Sequence, residues 1–199
     1  TPGRGGTQVT SFDMGLAKDA PLSFDREYTA DEMWANLEYF LKAVVPVAEE
    51  AGVKLAAHPD DPPVESLGGV ARILKDREGF ERMLAIIDSP NLGLDFCMGC
   101  WSEMMGMQCL DAIRNLAGRG KIFYVHFRDV QGSAGKFQEC FLGEGNVDVA
   151  KAIRTLREAG FDGYLLDDHV PGIVNDAGYG YRARAHAIGY IQGLIAGTA

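Results

Sequence analysis

The chain has 199 residues, 47% hydrophobic and 24% charged, with ten phenylalanines; this is enough apolar mass for one globular core and excludes a disordered or fibrous chain. A net charge of −9 leaves no basic face for phosphates, which argues against a nucleic-acid or anionic-membrane partner and for a small molecule or another protein. No run of about 18 apolar residues is present to span a bilayer.

The opening "TPGRGGTQVTSFD" reads as a loop entering a weak strand over 7–14, as if the natural protein begins earlier, and it lacks the layout of a signal peptide. "TADEMWANLEYFLKAVVPVAEEAG" follows with helical period: Thr29 is its expected N-cap, Glu32 the capping-box partner and Gly52 the stop. Next come a strand "VKLAAH" at 53–58, a helix near 76–89, a strand "LGLDFC" at 92–97 and a helix near 103–119. The strand "KIFYVHF" at 121–127 precedes a loop and N-cap, "GEGNVD", which leads into a helix near 147–160. The strand "GYLLDDH" at 163–169 and a helix near 182–196 close the chain.

Alternating strands and helices predict βα units around a parallel sheet, and the continuous apolar character of the strands predicts a sheet covered on both faces. An open doubly wound sheet loses its main support because "GRGG" precedes its strand instead of following it. A (β/α)8 TIM barrel is therefore expected, with residues 1–199 as one partial barrel domain: only four or five strands can be counted where a full barrel has eight in about 250 residues. Four cysteines without framework spacing (Cys97, Cys100, Cys109, Cys140) fit a reducing compartment and predict a cytoplasmic protein.

The functional face of such a sheet lies at the C-terminal ends of its strands. His58, Cys97, His126 and the pair Asp168–His169 all fall there, and of the four histidines only His186 does not. Singly, each histidine reads as a structural residue. Together, two imidazoles, a thiolate and a carboxylate from successive strands make a mixed site for Zn²⁺, Fe²⁺ or Mn²⁺. The CxxC spacing of Cys97 and Cys100 has no second pair to complete a zinc ribbon, so Cys100 is expected to be a small packed residue. Arg128 shares a strand face with His126 and is the candidate clamp for a substrate carboxylate, against an internal salt bridge. Asp60 is the second candidate substrate-binding residue; with Asp61 it also reads as a partner of the ligands or a turn residue. His169, beside the metal but not on it, is a candidate proton carrier, and Tyr179 or Tyr181 in "AGYGY" a candidate for the second proton transfer.

"YFLKAVVPVAEEAGVKLAAHPDDPP", "FCMGC", "YVHFRDV", "DDHVPG" and "GYGYRARAHAIGYIQGLI" together resemble the mannonate dehydratase family over about residues 7–197. The resemblance implies a xylose-isomerase-like barrel and one Mn²⁺ or Fe²⁺ ion held by His58, Cys97, His126 and Asp168. It also implies His169 and Tyr179 as the catalytic pair, and dehydration of D-mannonate to 2-keto-3-deoxy-D-gluconate in hexuronate breakdown. A homo-oligomer is left open. Leu166–Asp167 stands where the family usually has Arg-Pro, which makes Asp167 a competitor of Asp168 and leaves the exact sugar acid open. Two alternatives stay beside this one: a metal-dependent sugar isomerase or epimerase on the same barrel, against which Cys97 speaks, and a non-catalytic truncated barrel.

Overall fold

A computed structural model of the protein describes residues 1–198. In chain order its elements are β1 (Ser11–Asp13), α1 (Met14–Ala17), α2 (Ala30–Glu50), β2 (Leu55–Ala57), β3 (Ser66–Leu67), β4 (Val70–Ala71), α3 (Arg77–Ile86), β5 (Leu92–Cys97), α4 (Met98–Met105), α5 (Cys109–Gly118), β6 (Ile122–His126), β7 (Asp129–Ser133), β8 (Lys136–Cys140), α6 (Val149–Glu158), β9 (Tyr164–Leu166) and α7 (Tyr181–Gly197).

The helix starts follow from local chemistry. Thr29 accepts the Glu32 N–H while Glu32 accepts the Thr29 N–H, the reciprocal capping box its sequence implies. Asp76 caps α3 through the Gly79 N–H and Asp148 caps α6 through the Lys151 N–H. Gly52, at φ 65°, turns the chain out of α2 in a conformation that an L side chain resists.

Strands β2, β5, β6 and β9 form one parallel sheet in that order, Leu55 pairing Leu92, Cys97 pairing His126 and His126 pairing Leu166. Consecutive strands lie side by side with helices between them, the progression of a barrel wall. β5 is buried along nearly its whole length, as a central strand of a covered parallel sheet must be. From it Phe96 stacks on Trp101 with ring centroids 4.8 Å apart, and Phe80 meets the same indole at 5.2 Å.

Three departures from the sequence reading have physical causes. Residues 7–14 do not join the parallel sheet: Ser11–Asp13 pairs antiparallel with β8. The helix expected near 103–119 is two helices, α4 starting directly at Cys97 as N-cap, with a break at Gly106 (φ 57°) before α5. The stretch between His126 and "GEGNVD", to which the sequence reading gives no element, is an antiparallel hairpin, β7 against β8. Its tip is tied to α4 by Ala134 N–H donating to the Glu103 carbonyl, 3.0 Å. Asp129 fixes the following loop by accepting backbone N–H groups of Val130, Gly145 and Val147.

Candidate metal centre

The ends of β2, β5, β6 and β9 converge. One donor atom from each of His58, Cys97, His126 and Asp168 lies within 4.8 Å of the other three. Strand pairing is the reason: Cys97 and His126 are register partners on adjacent strands, His58 directly follows β2, and Asp168 follows β9 by two residues. Asp168 reaches the cluster with φ 46°, an uncommon conformation for a non-glycine residue that costs of order 1–3 kcal/mol and that functional sites retain.

The ring nitrogens are disposed as ligands require. His58 Nδ1–H donates to the Pro59 carbonyl at 2.7 Å, which leaves Nε2 as its free donor. His126 Nε2 lies 3.1 Å from Asp95 Oδ2, while its buried Nδ1 has no hydrogen-bond partner and sits 3.4 Å from Asp168 Oδ2. A carboxylate behind the imidazole and a bare nitrogen in front is the arrangement of a metal-ligating histidine. Burial opposes charge on Cys97, but the Cys100 thiol, the two imidazoles and the Arg128 guanidinium outweigh it and hold the thiol well below its usual range. Burial likewise opposes charge on His58, and the neighbouring sulfur outweighs it, raising the ring to about 9. Without an ion the charged forms of Cys97 and His58 thus favour each other, and a divalent ion takes the place of the His58 proton. Two nitrogens, a sulfur and an oxygen fit one transition ion.

Asp167 does not compete for that position. It is buried and paired with Arg184 Nη1 at 3.1 Å. Arg128 takes the internal pairing that the sequence left as its alternative, with its side chain 0% exposed. Its Nε–H donates to Cys97 Sγ at 3.1 Å, Nη2 to Asp61 Oδ2 at 2.7 Å and Cys100 Sγ at 3.1 Å, and Nη1 to Glu139. Asp61, Cys100 and Glu103 form a second acidic group, but this guanidinium already fills it, with Glu103 Oε1 3.4 Å from Nη2. Burial pushes Glu103 up to about 8, against the pull of the Arg128 guanidinium. Asp60 is tied to the fold rather than to an open face, pairing Arg72 at 3.2 Å and accepting the Leu74 N–H at 2.8 Å.

His169 and Tyr179 line one cleft of ≈350 Å³ with Asp168 and Arg184. Tyr179 is exposed, with the Arg184 guanidinium 4.7 Å from its ring centroid, and Tyr181 lies 5.1 Å beyond it. His169 Nδ1 sits 3.0 Å from Glu139 Oε1. That hydrogen bond, against an opposing burial effect, raises the ring above its usual value. Glu139, Glu103 and Asp95 are the residues that the sequence reading missed. Asp95 had a signal, since it shares a strand face with Cys97 two residues on. Glu139 had a weaker one: short mixed segments, "DVQ" and "KFQEC", flank "GSAG" at 132–135, a turn signal between two possible strands.

The fold and this donor set define the class: a β/α-barrel protein with a candidate metal centre at its strand ends. The D-mannonate dehydratase (UxuA) family profile matches residues 16–199. Mannonate dehydratase 2 of Halalkalibacterium halodurans is 34% identical over 175 residues, 85% of this chain and 50% of the relative. Mannonate dehydratase of Streptococcus suis (strain 05ZYH33) is 36% identical over 178 residues, 86% of this chain and 48% of the relative. The crystal structure of mannonate dehydratase from Streptococcus suis serotype2 superposes with a TM-score of 0.86 at 32% identity, covering 99% of this chain and 59% of that one. A D-tagatose 3-epimerase-like protein (TM-score 0.62, 21% identity, 84% of this chain and 58% of that one) shares the fold. So does a xylose isomerase domain protein from Alicyclobacillus acidocaldarius (0.63, 17%, 89% and 62%). The chain belongs to the mannonate dehydratase family, and it spans about half the length of the curated relatives it matches.

Proposed function

We propose that this chain carries the metal-binding half of a hydro-lyase that converts D-mannonate to 2-keto-3-deoxy-D-gluconate and water. The observation that carries the reading is the convergence of His58, Cys97, His126 and Asp168 in a member of this family. His58 through Nε2, Cys97 through sulfur, His126 through Nδ1 and Asp168 through its carboxylate would hold one Mn²⁺ or Fe²⁺. A divalent ion there supplies Lewis-acid stabilisation of the negative charge that develops beside the substrate carboxylate.

The remaining chemistry is proton transfer. The C2–H bond breaks, its electron pair forms the C2–C3 double bond, and the C3–O bond breaks as that oxygen takes a proton and leaves as water; the resulting enol tautomerises to the 2-keto product. One group must accept the C2 proton and another must protonate the C3 oxygen. His169 and Tyr179 divide these tasks from the same cleft. The four free, buried cysteines support a cytoplasmic setting, and no helix among the described residues is long and apolar enough to cross a membrane.

The test is incubation of the chain with Mn²⁺ and D-mannonate and assay of the 2-keto-3-deoxy product. Product that disappears in His169→Ala while metal content is kept supports the assignment. A chain that binds the ion and makes no product places the activity outside this half of the protein.

A further inference from the structure

Glu139 lies on β8, in the hairpin that stands outside the parallel sheet, and is 3% exposed. Alternation along the strand sets Glu139 on the same side as buried Phe137, with exposed Lys136 pointing the other way. A carboxylate so deeply placed needs partners. It has two, and both use the same oxygen: Arg128 Nη1 and His169 Nδ1 each meet Oε1, while Oε2 has no hydrogen-bond partner.

We propose that Glu139 is a positioning residue that fixes the ring orientation and the tautomer of His169. The inference rests on the reading that His169 moves a proton. A neutral imidazole carries one N–H, and a carboxylate at Nδ1 keeps it there, leaving Nε2 as the basic nitrogen. A carboxylate behind a proton-transferring imidazole does the same work in hydrolase triads. The half-exposed ring, 48% accessible, lines the cleft shared with Tyr179; its Nε2 lies 3.9 Å from Asp168 Oδ1, beyond hydrogen-bond distance, so Glu139 is the carboxylate that bonds the ring and Nε2 faces the cleft unbonded. Glu139 is itself held. Arg128 grips it with one nitrogen and donates with another to Cys97 Sγ at 3.1 Å, and Asp61 anchors the same guanidinium at 2.7 Å. One rigid cation therefore sets the proton-transfer residue in register with a donor of the metal centre.

A simpler role, neutralising buried Arg128, is distinguishable because Asp61 shares that role and does not touch His169. The experiment is two-bond ¹H–¹⁵N correlation of ¹⁵N-histidine-labelled full chain loaded with Zn²⁺ as a diamagnetic probe, at a pH where the rings are neutral, with His169→Gln to assign the signal. The wild-type protein should show His169 as the Nδ1–H tautomer, its proton shifted downfield by the carboxylate. Glu139→Gln should lose that pattern while zinc content is kept, and Asp61→Asn should retain it. In turnover of D-mannonate, Glu139→Gln should lower kcat by at least about tenfold with KM little changed, the size typical of losing an orienting partner. An Nε2–H tautomer in the wild-type chain overturns the proposal, whether or not the variants fold. So does an unaltered His169 signal in Glu139→Gln. If the wild-type chain binds the ion and makes no product, the activity lies outside this half of the protein, and the spectrum still decides the role of Glu139.

Discussion

Gly99 has no side chain, and that absence admits Arg128. A Cβ at this position would stand 2.7 Å from both Cζ and Nε of the guanidinium, whose partners hold it from several sides and leave it little room to yield. Gly99→Ala should therefore displace Arg128 from Cys97 and lower metal occupancy; full occupancy with an unchanged Tm would contradict this. The ligands themselves predict a pH dependence. His58, raised to about 9, is protonated at neutral pH in the metal-free chain, and an ion binds only the neutral ring. Apparent affinity should rise from pH 6 toward 9, with proton release on binding. Calorimetry in buffers of different ionisation enthalpy measures it, and affinity that is flat over that range would contradict a protonated His58 in the metal-free chain.

The elements show what a sequence can and cannot convey. His58, Cys97 and His126 were legible because each closes an apolar run, and strand ends are where a parallel sheet gathers chemistry. Asp168 was separable from Asp167 only in three dimensions, through the Asp167–Arg184 pair. The two readings of Arg128 stay open in the sequence for a related reason: strand alternation gives the side of the sheet a residue faces, but not the acids that Asp61, Glu103 and Glu139 bring to it from other parts of the chain. Glu139 stayed hidden because its hairpin is short and two-sided, with a burial pattern that mixes polar and apolar positions on one face. Helix starts were more legible, since a cap is a local interaction. Asp148, which accepts the Lys151 N–H at 2.9 Å, illustrates the scale: Asp148→Ala should cost about 1 kcal/mol. In urea the midpoint should fall with m unchanged, and an unmoved midpoint would mean that the cap contributes nothing. Trp101, fully buried against Phe96, lies at the other extreme, and Trp101→Ala should cost about 3–5 kcal/mol in the same experiment.

At the scale of the whole molecule, the parallel sheet has β2 at one edge and β9 at the other. Beside β9, helices α6 and α7 border an apolar groove of ≈490 Å³ that includes Leu156, Phe161, Leu166, Ile188 and Ile195. Tyr164 on this edge is 78% exposed. An apolar surface of this kind next to a strand edge takes up hydrophobic probes. The chain should enhance the fluorescence of an apolar dye, and Ile188→Lys should reduce that enhancement; a native chain that leaves the dye dark would contradict the groove. The central claim is that four strand ends build one metal centre. Titration of the metal-free chain with Co²⁺ tests it most directly, because a cobalt–thiolate bond has its own near-ultraviolet charge-transfer absorption. The predicted result is a band that saturates at one equivalent and vanishes in Cys97→Ser, with weakened binding in His58→Ala. A titration with no thiolate band, or one that persists unchanged in Cys97→Ser, would contradict the assignment of this site.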